Sequence, residues 1–173
     1  MTGFDGASFG AQDLDGQGAN RQQVVTFDAL ALEGAPAVSV SMALAEDAVS
    51  DAHSWDSPDF FHADYSLDGN GFQPLLHVEA EGGSGTTNAP ARIDDDFDGI
   101  GEGSVLTDVA QIFTRGVNTD GASSLVLRLT FDLNSREQDI AVDDIVVMAM
   151  NGPLPVELSA FDAARRATDI GLA

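Results

Sequence analysis

The chain has 173 residues, enough for one domain with a real core, and 43% of them are apolar, which excludes a disordered acidic tail. It carries 29 acidic residues against 7 basic ones, a net charge of −22. Such a surface repels a nucleic-acid backbone and an anionic membrane, so neither is an expected partner.

The opening residues 3–23, "GFDGASFGAQDLDGQGANRQQ", are rich in Gly, Asp, Asn and Gln and mark loop or edge structure. Residues 24–32, "VVTFDALAL", and 37–45, "AVSVSMALA", read as strands parted by "EGAP". In the second, Val38, Val40, Met42 and Leu44 alternate with small or polar residues, which is the period of a half-buried strand. Residues 59–67, "DFFHADYSL", alternate again, with Phe61, Ala63, Tyr65 and Leu67 on one side and Phe60, His62, Asp64 and Ser66 on the other. "DGNG" at 68–71 predicts a hairpin, because Gly and Asn tolerate positive φ, and "FQPLLHVEA" returns from it. The run "EGGSGTTNAP" is a loop. "VAQIFTRGV" is a weaker strand, "SSLVLRLTFDL" the clearest one, and "DIAVDDIVVMAM" closes the domain. Seven or eight strands with frequent turn signals predict an all-β fold, an antiparallel β-sandwich, over residues 1–152. Residues 153–173, opening on the proline-bearing "PLPVEL", read as a linker or tail.

Cysteine is absent, which forbids disulfides, thiolate metal sites and cysteine nucleophiles. No apolar run approaches a membrane span, so membrane insertion is not expected. Residues 1–23 lack the basic start and apolar middle of a signal peptide. Every basic residue is arginine and lysine is missing altogether. Acid excess without lysine resembles the proteins of extreme halophiles, whose self-repulsion is relieved by salt.

Three segments carry a family resemblance: "YSLDGNGFQPLL", "DDDFDGIGEGSVLTDVAQIFTRGV" and "LVLRLTFDLNSREQDIAVDDIVV". Together they resemble the jelly-roll modules of large secreted bacterial surface proteins and, more loosely, MAM-type and lectin-like jelly rolls of galactose-binding or concanavalin-like shape. "LPVELSAF" at 154–161 resembles the hinge before the C-terminal, type IX secretion sorting domain of exported Bacteroidetes proteins. The resemblance implies an extracellular or cell-surface setting and a further domain beyond residue 173.

Two aspartate groups are candidate calcium sites. In "DDDFDGIGEG", Asp94, Asp96 and Asp98 occupy positions 1, 3 and 5 of an EF-hand-like loop, with Gly99 at the sharp turn. Position 12 is Val105, which cannot supply the bidentate glutamate, so an EF-hand is excluded. What remains is a shorter calcium loop completed by Glu102 or water, or else a solvated acidic turn. The jelly-roll resemblance implies a second site, tying the first loop (Asp13, Asp15) to the last strand (Asp144, or Asp143) through calcium. The other reading leaves one of the two strand carboxylates in solvent and the other capping a turn or paired with Arg128 or Arg136.

His53, Asp56, Asp59, His62 and Asp64 gather histidine and carboxylate, but no metallohydrolase ligand set is present and no nucleophile motif occurs. His62 and Asp64 share a strand face and form at most a weak metal pair. For sugar stacking the chain offers one Trp, one Tyr and ten Phe. Trp55, in a polar stretch, is the expected platform, with Tyr65 and Phe72 flanking the 68–71 turn, although such rings more often fill a core. The sequence therefore predicts a non-catalytic, calcium-supported module of an exported protein that binds a glycan or another cell-surface ligand. The alternative is an accessory domain of an extracellular nuclease or glycosidase.

Overall fold

Alternation along the strands decides the layers of this chain, whose computed structural model describes residues 1–18, 20–47 and 54–150. The strands are β1 (Phe9–Gln12), β2 (Gln22–Thr26), β3 (Leu30–Ala31), β4 (Ala37–Ala45), β5 (Phe60–Leu67), β6 (Gln73–Ala80), β7 (Ala91–Asp94), β8 (Gln111–Asn118), β9 (Ser124–Asp132) and β10 (Asp139–Ala149). They form two antiparallel sheets. One has the order β1-β10-β4-β8; the other has the order β2-β9-β5-β6-β7, with β3 also pairing with β9.

Val38, Val40, Met42 and Leu44 of β4 and Ile140, Val142 and Val147 of β10 point inward from the first sheet. Phe61 and Ala63 of β5, Leu76 and Val78 of β6, and Leu125, Leu127, Leu129 and Phe131 of β9 point inward from the second. All belong to one apolar cluster, so the two sheets share a single core. Burying one such Leu or Phe contributes about 1.5–3 kcal/mol, which makes this shared face the main source of stability. Among the described residues no helix is long and apolar enough to cross a membrane.

The segment expected as one strand at 24–32 is two. Thr26 faces Arg128 and Leu30 faces Leu125, so the chain takes four steps where β9 takes three, and the ladder breaks between them. β10 also departs from simple alternation. Asp143 faces Ala43 but Val146 faces Ser41, so Asp144 and Ile145 oppose Met42 alone. Asp144 takes a φ of 49° at this bulge, and its side chain is exposed. β7 was not expected from the sequence; Ala91 and Ile93 supply its core face. The linker expected at 153–173 and the candidate His53 lie outside the described residues.

Candidate metal loop and polar sheet face

The outer face of the larger sheet is a grid of polar side chains. Pairing places Arg128 beside Asp64, Thr130 beside His62, and Asp132 beside Phe60 across β9 and β5. On the far side of β5, His62 faces His77 and Phe60 faces Glu79; beyond β6, His77 faces Asp94 and Glu79 faces Arg92. One row thus runs Thr130, His62, His77, Asp94, and it ends at the first residue of the acidic loop.

That loop folds around Asp94. The Asp94 side chain is buried at 1% exposure, and its Oδ1 accepts the backbone N–H groups of Phe97 (2.6 Å) and Asp98 (3.3 Å). Its Oδ2 accepts the N–H of Gly99 at 2.9 Å, which leaves lone-pair capacity on that oxygen. Asp98 Oδ1 accepts the N–H of Ile100 at 3.0 Å, and Glu102 Oε1 accepts that of Asp95 at 2.6 Å. Gly99 sits at φ 87°, the left-handed turn that its place in the motif calls for. Gly101 brings the loop back onto the sheet: a Cβ there would stand 2.6 Å from the Glu79 carbonyl oxygen and 2.8 Å from the Arg92 Cβ.

These turns gather one oxygen each from Asp94, Asp96, Asp98 and Glu102 to within 4.8 Å of one another. Opposite ligands on a calcium ion, at about 2.3–2.6 Å each, lie about 4.6–5.2 Å apart, so the spacing suits one ion of that class. Asp96, Asp98 and Glu102 are exposed, so an ion has access and water can fill the remaining positions.

The second aspartate site is not assembled. Gln12 faces Asp139, so Asp13 continues toward Gln138 and hydrogen-bonds Ser135, whereas Asp144 lies beyond the Phe9–Val142 end of the pair. Six residues of strand separate the two positions, roughly 20 Å. Asp13, Asp15 and Asp144 are all exposed, and among the described residues none joins a convergent group of three or more donors.

The aromatic candidates separate. Trp55 is fully buried in the core at 0% exposure, so neither ring face is open to a sugar, which corrects its expected role as a platform. The polar stretch around it misleads because Trp55 bridges to Ala89 and turns inward. Tyr65 is partly buried against the core and donates its hydroxyl to Gln73 Oε1 at 3.0 Å. Phe72 is 39% exposed, with the Arg128 guanidinium 3.9 Å over its ring. Beside it lies a polar cleft of about 260 Å³ lined by Asp68, Asn70, Gln73, Thr119 and Asp120 among others. Asp68 is already engaged there by the amides and hydroxyls of Ser123 and Ser124.

Asp56 and Asp59 have structural partners. Asp59 is buried, takes the Arg21 guanidinium at 2.9 Å and the Asp56 N–H at 2.7 Å, while Asp56 Oδ1 accepts the Asn88 N–H. His62 and Asp64 do not pair with each other. His62 Nε2 lies 2.5 Å from Glu79 Oε1; Asp64 receives His77 Nε2 at 3.0 Å and Arg128 at 2.7 Å. Burial pushes the Asp64 carboxyl up, but the hydrogen bonds from His77 and Arg128 outweigh it and hold the group below the usual carboxylate range. His77, Glu79, Phe97 and Arg128 are functional candidates that sequence reasoning missed. The His-x-Asp of β5 and the His-x-Glu of β6, on strands joined by a tight turn, were the available signal. No family model, no curated protein and no solved structure matches the chain.

Proposed function

We propose that this chain is a non-catalytic β-sandwich module, of jelly-roll type, supported by calcium in the 94–102 loop, and that it binds glycans or another cell-surface ligand as part of an exported, halophilic protein. The observation that carries the reading is the convergence of four carboxylate oxygens within 4.8 Å. Bringing four anions together is costly without a cation, and an all-oxygen donor set in an irregular loop favours calcium over ions that demand nitrogen or strict geometry. The ligand surface is the end of the polar face beside Phe72, where the cleft supplies side-chain amides and a carboxylate for sugar hydroxyls and Phe72 supplies an exposed ring.

A glycan array probed in molar NaCl with calcium tests the ligand side of this reading. Binding that falls in Phe72→Ala and in Asn70→Ala supports it. Silence across the array, or signals indifferent to both substitutions, removes the glycan assignment.

A further inference from the structure

A second, chemically different donor group lies on the same face. One donor atom each from His62, His77 and Glu79 falls within 4.8 Å of the others. Two imidazoles and a carboxylate are not a calcium set. They are borderline donors, typical of zinc and neighbouring transition ions, and two histidines with one glutamate leave a coordination position open. We propose that His62, His77 and Glu79 bind a transition-metal ion of the zinc class, at a site separate from the acidic loop.

The donor atoms are near one another, but the rings are stacked rather than turned toward a common point. The His62 and His77 rings stack 3.7 Å apart at an interplanar angle of 10°. Imidazole lone pairs lie in the ring planes, so the stacked rings aim them side by side, and one ring must rotate substantially for both nitrogens to meet one ion at about 2.0–2.1 Å. Phe60 stacks on the other face of His62 at 4.1 Å, and Phe97 stands edge-on to His77 at 4.9 Å. Phe60 and Phe97 thus flank the stacked pair, and the imidazole that turns must move against one of them.

Hydrogen bonds set the tautomer. His77 directs Nε2 at Asp64, which Arg128 holds in turn, so in the neutral imidazole Nε2 is the donor and Nδ1 the nitrogen left for an ion. Among the described residues no hydrogen-bond partner takes that Nδ1, and the His77 side chain keeps partial exposure. A carboxylate accepting the non-ligating N–H is the arrangement that orients a metal-binding histidine and raises its basicity. The ion takes Nδ1 of His77, the nitrogen of His62 that faces Glu79, and a Glu79 oxygen. The proton held between His62 Nε2 and Glu79 Oε1 leaves to solvent as the ion enters.

Cobalt(II) is the probe, because its visible absorption reports tetrahedral or five-coordinate nitrogen–oxygen ligation. The protein is titrated in molar NaCl with saturating calcium, so that the acidic loop is occupied and diffuse charge is screened. The expected result is a saturable visible band at one equivalent, displaced by zinc. Its affinity drops by about tenfold or more in His77→Gln and in Glu79→Gln, and it is unchanged in Asp96→Ala/Asp98→Ala. Circular dichroism melting confirms that each variant is folded; should His77→Gln melt early, Glu79→Gln carries the comparison. The spectrum of hydrated cobalt alone, or a band that survives both substitutions, overturns the proposal and assigns the uptake to the acidic surface at large. Loss of calcium binding in the loop variant with the cobalt band intact separates the two sites.

Discussion

Asp94 and His77 are cross-strand partners on β7 and β6, so the acidic loop begins where the histidine row ends. Phe97, three residues into the loop with a φ of 63°, stands edge-on to the His77 ring. The loop is therefore a wall of the polar face, and whatever fixes the loop fixes that wall.

Gly101→Ala should detach this wall. The added methyl meets the Glu79 carbonyl, a backbone atom that cannot swing aside, together with the Arg92 Cβ. A loss of roughly 1–3 kcal/mol of stability is expected, as for other overpacked sites. Calcium affinity should fall with it, although no ligand has changed. Thermal melting with and without calcium checks both effects; a Gly101→Ala protein that melts and binds like the parent contradicts the packing described here.

Stability should fall as pH rises from about 4.5 to about 8. Burial, then the neighbouring Asp139 and Asp47 charges, push the Glu46 carboxyl from 4.5 to about 8; the Ala91 backbone offsets only part of this. Burial likewise raises Asp59 from 3.8 to about 6, against the pull of Asp56 N–H and Arg21. In those windows the folded chain holds a proton that the unfolded chain has lost, so each pH unit costs on the order of 1 kcal/mol per group. Glu46 is the sharper case, because neither of its buried oxygens meets a partner at full hydrogen-bond geometry. Denaturant melts at pH 5 and pH 8 should show the decline, and Glu46→Gln should flatten most of it. Asp64 works the other way: its lowered carboxyl stabilises the fold above the ordinary carboxylate range and is lost only below it.

Most strands could be read from alternation because one face of each is buried, as in β4 and β9, whose expected spans match within a residue or so. The acidic loop was legible for a local reason: Asp94, Asp96, Asp98, Gly99 and Glu102 lie within one turn-rich stretch, so spacing alone brings them together. The histidine group was hidden by one residue. Tyr65 faces Gln73 and Asp64 faces Pro74, but Ala63 faces Leu76, with Leu75 bulged out. Pro74 has no N–H to give the ladder, and bulges accommodate such residues. Without the bulge His77 would face Phe61, and the two histidines would lie on opposite sides of the sheet. Trp55 failed for the opposite reason: its neighbours are polar, but a long-range bridge to Ala89 carries it inside.

The burial of Trp55 makes it a clean reporter, since it is the chain's one tryptophan. Its emission should be blue-shifted and weakly quenched by acrylamide, and glycan addition should leave it unchanged. Strong quenching, or an emission change on sugar binding, would place the indole at the surface instead.

Salt should stabilise the fold. Among the described residues each arginine, Arg21, Arg92, Arg115, Arg128 and Arg136, is already paired with a carboxylate, so most of the −22 charge is unpaired. Screening lowers that self-repulsion, and Tm should climb between dilute buffer and molar NaCl. A flat Tm across that range would remove the halophilic setting from the account.

Calorimetric titration of calcium into the protein in molar NaCl tests the central claim most directly, because screening leaves only specific coordination. Weak, saturable binding at one equivalent is expected, with a rise in Tm that follows saturation and loss of both in Asp96→Ala/Asp98→Ala. Calcium affinity and Tm that are the same in that variant as in the parent would show the 94–102 loop to be a solvated acidic turn.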